Sequence, residues 1–227
     1  MQLAMGDSAY ASLDASGALA HYEKAAVDSG SYEAWWKASR SAVDIGSYAT
    51  DATRRTALFT RGEQYARSAV ALNPGDAEGH FALARALGKA ALAQGPRGRV
   101  RYATEIRSQG LECLRIRPRH AGCLHVMGMW NAEVMRLNSL TRIVAKNILG
   151  GRVLGTASWK EAVRYMEASV AAEPDRIVHR VDLGEVYRDT GENTKAKAEL
   201  EMALRLPVSD ANDRFYKAQA KAALARL

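Results

Sequence analysis

The sequence of 227 residues has little cysteine and shows no spacing of side chains that would hold a metal. Two cysteines are too few for a disulfide scaffold. Cys113 and Cys123 flank a predicted interhelical turn and could approach each other to form a disulfide, but both lie where packed helices bury small residues, so we expect buried thiols instead. The five histidines have no ligand-like spacing with these cysteines, and we expect no metal ion.

The chain also lacks a long apolar run. No segment approaches the roughly 20 apolar residues that a membrane span needs. Residues 1–6 contain neither the basic region nor the apolar core of a secretory signal, although a chain from which a signal had been removed would look the same. We therefore expect a soluble protein without a transmembrane segment, either cytoplasmic or exported after removal of a signal.

Catalytic motifs are missing as well. The sequence contains no GxxxxGK[ST] phosphate loop and no HExxH, GxSxG or CxxC motif. Glu199 and Glu201 form a carboxylate pair typical of a solvated helix face, and no nucleophile can be matched with a base. The sequence therefore predicts a protein that is not an enzyme, with no catalytic residue, no cofactor and no small-molecule substrate.

Four prolines end four similar segments, which is the first sign of a repeat. Each segment reads as the last turns of an amphipathic helix, which proline stops because its ring is bulky and it has no N–H. The segments are AVALNP, ECLRIRP, ASVAAEP and MALRLP, ending at Pro74, Pro118, Pro174 and Pro207. No segment alternates with a two-residue period for long enough to predict a strand.

The clearest repeat unit covers residues 175–207. Its first helix carries Leu183, Gly184 and Tyr187 in the spacing typical of a tetratricopeptide repeat, and Gly191 marks the following turn. The second helix presents small and apolar residues on one face, namely Ala196, Leu200 and Ala203. One helix pair cannot bury that face alone, so neighbouring pairs must stack, with Gly184 facing a helix where no side chain fits.

The whole chain, 1–227, is predicted to be a single repeat domain. Its units are approximately 7–30, 31–74, 75–118, 119–174 and 175–207, with a cap over 208–227. We assign the residues beyond the usual repeat length of about 34 to loops at Ser47–Phe59 and Gln94–Gly98 and to one helix over about 120–149. The predicted fold class is all-α, a tetratricopeptide-like α-solenoid of about four helix pairs with a long central helix and a C-terminal capping helix.

Five segments in this order also resemble the regulator of microtubule dynamics family. They are EAWWKASR, AVALNPGDAEGH, HVMGMWNAEVMRLNSLTRIVAKNILG, SWKEAVRYMEASVAAEP and DLGEVYRDTGENTKAKAELEMALRLP. The most specific part is the Gly128-x-Trp130 pair, followed by the helix of SWKEA type. The resemblance implies a tetratricopeptide-like fold. It also implies relatives that associate with microtubules or sit at membrane contacts, and we interpret this chain as a bacterial relative.

A binding surface is predicted on the first helix of each pair, which lines the concave face of such a solenoid. Basic and apolar residues there share one phase, namely Lys37, Phe81, Arg85, His125, Met129 and Arg188, accompanied by Ser41, Lys89, Val181 and Glu185. This mixture suits a protein or peptide partner with an acidic side chain or a carboxylate end, which arginine holds through paired hydrogen bonds. The alternative is that the charges are only solvated and that Phe81 and Met129 are packing residues.

A second basic region offers a different hypothesis. Its arginines are Arg97, Arg99, Arg101, Arg107, Arg115, Arg117 and Arg119, in a chain with a net charge of +7. Such a region can bind an acidic protein tail, an anionic membrane or nucleic acid. Nucleic acid is disfavoured because Tyr102 is the only aromatic residue nearby for base stacking. The basic, amphipathic stretch 136–152 could likewise lie on a membrane, but this is disfavoured because its apolar face continues the repeat core. Solvated surface charge is the competing interpretation.

Overall fold

The computed structural model describes residues 1–93, 96–137 and 153–227, and for residues 96–101 it describes the backbone alone. These residues form eleven α-helices and one short 3-10 turn at Leu154–Thr156, and they contain no strand. The helices are α1 (Gln2–Ala11), α2 (Ala15–Ser29), α3 (Tyr32–Tyr48), α4 (Ala52–Leu72), α5 (Ala77–Leu92), α6 (Pro96–Ile116), α7 (Ala121–Arg136), α8 (Trp159–Ala172), α9 (Ile177–Asp189), α10 (Asn193–Arg205) and α11 (Asp213–Leu224).

The helices pack as successive pairs, which confirms the predicted tetratricopeptide-like α-solenoid. In the described part of the chain the pairs are α1–α2, α3–α4, α5–α6, α7–α8 and α9–α10, and α11 packs on α9 and α10 as the predicted cap. There is one pair more than the four expected, because the weakly patterned start of the chain forms the full helix α1. The boundaries of the individual repeat units stay a prediction.

The helix ends follow the residues that the sequence marked as stops and starts. Helices α4, α6, α8 and α10 end shortly before the four prolines. Asp14, Ser31, Asp76 and Ser158 precede helices, and each side chain accepts a hydrogen bond from a first-turn amide, as N-cap residues do.

The predicted loop insertion at Ser47–Phe59 is wrong, and the one at Gln94–Gly98 is wrong for its last three residues. Helix α4 already begins at Ala52, because Asp51 caps it by accepting a hydrogen bond of 2.6 Å from the Arg54 amide. The segment Ser47–Phe59 is therefore mostly helical. Helix α6 begins at Pro96, since proline needs no amide partner in the first turn of a helix. Within the predicted loop Gln94–Gly98, residues 94–95 lie outside the described part of the chain.

The predicted helix over 120–149 does not continue unbroken. Helix α7 ends at Arg136, and Leu137 has an extended conformation with ψ of 136°. The sequence explains the stop, because Asn138 and Ser139 are poor helix formers that favour helix ends. The rest of the predicted long helix, from residue 138 onward, lies outside the described residues.

The chain divides into two compact units, each with its own core. Unit 1 comprises Met1–Ile116 together with Asp210–Asn212, and unit 2 comprises Arg117–Ser209 together with Asp213–Leu227. The largest fully buried side chains of unit 1 include Tyr22, Val43 and Leu87, and those of unit 2 include Met127, Met166, Ile177, Leu183 and Leu200. Many other core positions hold alanine, which lets paired helices approach closely.

Two glycines mark the closest helix contacts in unit 2. A Cβ atom added at Gly184 would lie 2.8 Å from the Leu200 Cγ atom, which confirms that no side chain fits there. A Cβ atom added at Gly128 would lie 2.5 Å from the Met166 Sδ atom. Glycine is therefore required for packing at both positions rather than for its backbone freedom.

Two further sequence expectations concern membrane spans and thiols. Within the described residues, no helix has both the length and the apolar character to cross a membrane. The expectation of free thiols is wrong, because Cys113 and Cys123 are each disulfide-bonded. Both residues are fully buried, as expected. Burial does not distinguish a thiol from a disulfide, because both are apolar.

Candidate interaction faces on the first helices

The first helices of the pairs carry the predicted binding residues, and each unit is described separately. In unit 1 these helices are α1, α3 and α5, and we call their polar and aromatic side chains the unit 1 face. Its members are Tyr10, Trp36, Lys37, Arg40, Asp44, Phe81, Arg85 and Lys89. In unit 2 the first helices are α7 and α9, and the unit 2 face comprises His125, Met129, Glu133, Arg136, Asp182, Glu185, Arg188 and Asp189.

Lys37 is held by two carboxylates. Its Nζ atom lies 2.7 Å from Asp7 Oδ1 and 2.6 Å from Glu33 Oε1, and the residue is 8% exposed. The Tyr22 hydroxyl donates a further hydrogen bond to Asp7 at 2.8 Å. Burial opposes ionisation of Asp7, but the hydrogen bonds from Lys37 and Tyr22 outweigh it and lower the pKa of that carboxyl. Lys37 therefore links α3 to α1, and its positive charge is already balanced by these two carboxylates.

Arg85 belongs to a buried polar network around Asp44. Its Nη2 atom donates to Asp44 Oδ1 at 2.6 Å, and the Asp44 side chain is 1% exposed. Tyr10 donates its hydroxyl to the other carboxylate oxygen at 2.9 Å, and Asn212 donates its amide to Oδ1 at 3.1 Å. Burial raises the pKa of Tyr10, aided by the negative charge of Asp44, so Tyr10 remains a donor at neutral pH. This network fixes α1, α3, α5 and the segment Asp210–Asn212 within unit 1.

Arg40 is a member of the unit 1 face that the sequence did not single out. Its guanidinium carbon lies 3.5 Å from the centroid of the Tyr10 ring and 5.3 Å from that of Trp36. Its Nη2 atom donates to the Tyr22 hydroxyl at 3.3 Å, and its Nε atom is buried without a hydrogen-bond partner. Arg40 forms no ion pair with any residue that the structure describes.

The remaining predicted residues of unit 1 differ in exposure. Phe81 and Lys89 are half-buried on α5, one turn before and one turn after Arg85. Ser41 is fully buried, and its hydroxyl has no hydrogen-bond partner among the described residues. Phe81 is therefore the predicted apolar contact that a partner can reach beside Arg85.

On the unit 2 face, His125 connects the two first helices. Its Nε2 atom lies 2.7 Å from Asp182 Oδ2, so the side chain joins α7 to α9. The His125 ring stacks on that of His179, which is buried. Met129 is half-buried one turn after His125 and packs against a buried cluster that includes Ala132 and Met166. The two predicted residues of α7 are therefore brought together on one side of the helix.

Carboxylates dominate the second half of the unit 2 face. Arg188 Nη2 lies 3.2 Å from Asp189 Oδ1, and Arg136 Nη2 lies 2.6 Å from Asp189 Oδ2. Arg136 also contacts Glu133 at 2.7 Å. Burial raises the pKa of Glu185, and the neighbouring charge of Asp182 adds to the effect. Val181, which was predicted to face the groove, is buried in the core instead.

The structure thus gives a carboxylate partner to each of the four basic residues predicted to contact a ligand, namely Lys37, Arg85, His125 and Arg188. These partners could not be predicted from the sequence, because most of them lie on a different helix from the basic residue. The helical spacing of residues predicts ion pairs only within one helix. The available signal lies within α3, where Glu33 precedes Lys37 by one helical turn.

The alternative basic region is partly described. Arg115, Arg117 and Arg119 are exposed, and Arg107 is half-buried. Arg115 Nη2 lies 2.7 Å from Glu112 Oε1, so its charge is locally balanced. The side chains of Arg97, Arg99 and Arg101 lie outside the described residues.

Stacked helix pairs with glycine at the closest approach, and first helices carrying mixed polar and apolar faces, define a tetratricopeptide-like helical repeat protein. The chain belongs to the regulator of microtubule dynamics family. The model of that family, described as regulator of microtubule dynamics protein 1-3, matches residues 3–227. The family predicted from five sequence segments is therefore confirmed.

A curated relative and a solved structure agree with this assignment. The chain is 26% identical over 180 residues to Regulator of microtubule dynamics protein 3 of Xenopus laevis. That match covers 79% of this chain and 38% of the relative, so the chain spans well under half of the relative's length. The crystal structure of TTC0263, a thermophilic TPR protein of Thermus thermophilus, matches with a TM-score of 0.67 and 21% identity over 97% of both chains. The structural match supports the fold alone.

Proposed function

We propose that this protein is a non-catalytic scaffold that binds a peptide or protein segment on the faces of its first helices. The residues proposed to contact the partner are those predicted from the sequence, namely Lys37, Phe81, Arg85, His125, Met129 and Arg188. The observation that carries the proposal is the combination of half-buried apolar side chains, Phe81 and Met129, with charged side chains that the fold already holds in place. Interfaces concentrate their binding energy in a few anchor residues that become fully desolvated when the partner binds.

The decisive experiment is affinity capture from the native host, comparing the wild-type chain with Phe81→Ala and Met129→Ala. Each substitution removes an apolar contact while leaving the ion pairs of its unit intact. We expect either change to reduce the captured partner by about ten-fold, because loss of one apolar anchor weakens binding by roughly 1–2 kcal/mol. Arg119→Glu, on the exposed alternative surface, is the control and should leave capture unchanged.

Microtubules are the first partner to test, because the matching relative is named for regulating microtubule dynamics. Purified microtubules should pellet the wild-type chain and should pellet less of the Phe81→Ala and Met129→Ala variants. Absence of pelleting would remove the polymer as the partner. The partner recovered by affinity capture would then take its place.

The second candidate function is binding of a polyanion by the region Arg97–Arg119, favoured by the exposure of Arg117 and Arg119. Against it, Arg115 is balanced by Glu112. If Arg119→Glu abolishes capture and both apolar variants retain it, the outer basic region is the binding surface. Binding to nucleic acid or anionic vesicles that falls steeply with salt would support the same conclusion.

A further inference from the structure

Arg40 differs from the cations that the sequence predicted to bind a partner. Lys37 is neutralised by Asp7 and Glu33, and Arg85 is neutralised by Asp44. Arg40 lies one helical turn from both Lys37 and Asp44 on α3, yet it has no carboxylate partner among the described residues. Of these three cations, Arg40 is therefore the one whose charged group forms no direct salt bridge within the described structure.

Aromatic side chains hold the Arg40 guanidinium in place. Its carbon atom lies 3.5 Å from the Tyr10 ring centroid and 5.3 Å from the Trp36 ring centroid. One hydrogen bond, from Nη2 to the Tyr22 hydroxyl, ties it further. Guanidinium has five N–H donors in a planar fork, so most of its donors remain for a ligand. A cation fixed in this way loses little conformational entropy when it binds.

The surroundings favour an anionic ligand. A half-buried cation that forms no salt bridge has lost part of its hydration, and contact with aromatic rings compensates for only part of that loss. The buried Nε atom of Arg40 has no hydrogen-bond partner. A carboxylate placed against the fork would supply both the missing counter-charge and strong hydrogen bonds.

We propose that Arg40 is the anion-binding residue of the unit 1 face and that it takes a single aspartate or glutamate side chain of a mainly apolar protein segment. This inference rests on the proposed function and names the chemistry of its partner. Trp36 and Tyr10 form the aromatic walls of the site, and Phe81 offers an apolar contact on α5.

The charges of the unit 1 face favour a protein carboxylate over nucleic acid. Asp7, Glu33 and Asp44 lie beside the neutralised cations Lys37 and Arg85, and they repel a continuous row of phosphates. A single carboxylate on a mainly apolar segment needs only one free cation. The site is therefore suited to an isolated acidic side chain.

The test measures binding of a short fluorescein-labelled peptide, with one glutamate among leucine and serine residues, by fluorescence anisotropy. The matched peptide contains glutamine in place of glutamate. We expect the glutamate peptide to bind the wild-type chain more tightly, and Arg40→Gln to weaken its binding by about ten-fold or more. Arg40→Lys keeps the charge but loses the planar fork, so it should bind with intermediate affinity.

Arg67→Gln is the matched control, since Arg67 is an exposed arginine on the second helix α4 and is paired with Glu63 and Glu105. It should change the affinity by less than about two-fold, as expected for a surface pair. Thermal melting of each variant establishes that it is folded. If Arg40→Gln does not fold, Arg40→Lys tests the inference instead. This variant should bind the glutamate peptide more weakly than the wild-type chain does, while its affinity for the glutamine peptide should be unchanged.

Three outcomes overturn the inference. The glutamate peptide fails to bind the wild-type chain, or Arg40→Gln (Arg40→Lys where that variant is unfolded) leaves its affinity unchanged. The third outcome is that the substitution weakens binding of a single-stranded oligonucleotide as much as it weakens binding of the glutamate peptide. The proposed function fails separately. If Phe81→Ala reduces capture of the native partner while Arg40→Gln does not, the scaffold function stands and the assignment of Arg40 is wrong. If neither substitution nor Met129→Ala reduces capture, both proposals are wrong.

Discussion

The imidazole rings of His125 and His179 stack with their centroids 4.8 Å apart and their planes 26° from parallel. The two side chains have different surroundings. His125 is half-buried and contacts Asp182, whereas His179 is 4% exposed and its Nδ1 atom has no hydrogen-bond partner among the described residues. Burial lowers the pKa of His179 well below its ordinary value, and the nearby charges of His125, Arg176 and His120 add to the effect.

The first prediction is that acid destabilises the chain through His179. The unfolded chain binds a proton near the ordinary histidine pKa of 6.5, while the folded chain does not until a lower pH. Stability is therefore complete above that value and falls as the pH drops below it, by at most about 1.4 kcal/mol per pH unit for one proton. Urea unfolding at neutral pH and at mildly acidic pH, for wild type and His179→Phe, measures the slope. An equal slope in both proteins would exclude this role for His179.

The second prediction compares two helical glycines. Gly184→Ala places a methyl group 2.8 Å from Leu200 Cγ, and overpacking of this kind destabilises by roughly 1–3 kcal/mol. Gly88→Ala is the control, because nothing lies within 4 Å of the new Cβ atom. Alanine in the interior of α5 should stabilise the helix by about 0.5–1 kcal/mol. Thermal melting should move in opposite directions for the two variants, and a common direction would show that the packing at Gly184 is wrong.

The third prediction concerns the start of α4. Asp51→Ala removes the side chain that caps this helix and should destabilise the chain by roughly 0.5–2 kcal/mol. Thr53→Ala, an exposed change two residues later, should have little effect. Hydrogen exchange offers a direct measurement, because the Arg55 amide donates to the Asp51 carbonyl at 2.9 Å and should be protected. Fast amide hydrogen exchange through residues 55–58 would contradict the helix and support the loop predicted from the sequence.

The fourth prediction concerns the buried carboxylate of unit 1. Asp44→Ala removes the buried carboxylate to which Arg85 donates and should destabilise by roughly 3–5 kcal/mol, as loss of one partner in a buried ion pair does. Tyr10→Phe removes one neutral donor from the same network and should destabilise by only about 0.5–1.5 kcal/mol. Chemical unfolding gives both values. Similar losses for the two variants would mean that the Arg85–Asp44 pair is not buried as described.

The sequence predicted the fold well because its signals are local. Proline fixes where a helix stops, and the Leu183-Gly184-x-x-Tyr187 pattern fixes how one helix pair packs. The start of α4 was missed because Thr53, Arg54 and Thr56 are exposed polar residues that interrupt the apolar period, so only the Asp51 cap marked the helix. A cap is a weaker signal than a periodic apolar face, and propensity alone rarely places a helix start.

The candidate site was less predictable because charge balance is set by tertiary structure. The phase of α3 correctly placed Lys37 on a first helix, but its partner Asp7 is 30 residues away on α1. Arg40 looked like an ordinary surface arginine in the sequence. Its importance depends on Tyr10 and Trp36 enclosing it and on the absence of an ion pair in the described structure, and neither property has a local sequence signal.

The short segment Asp210–Asn212 has a consequence for how the chain is made. Although it follows α10 in the sequence, it belongs to unit 1, and its Asn212 side chain bonds Asp44 across 168 residues. A ribosome releases all of Met1–Ile116 long before it reaches this segment. During synthesis the buried Asp44 therefore lacks one of its hydrogen-bond donors until residue 212 has been made. Nascent unit 1 is consequently expected to mature late, and truncation before residue 210 should yield a unit that folds less stably than its own sequence length would indicate.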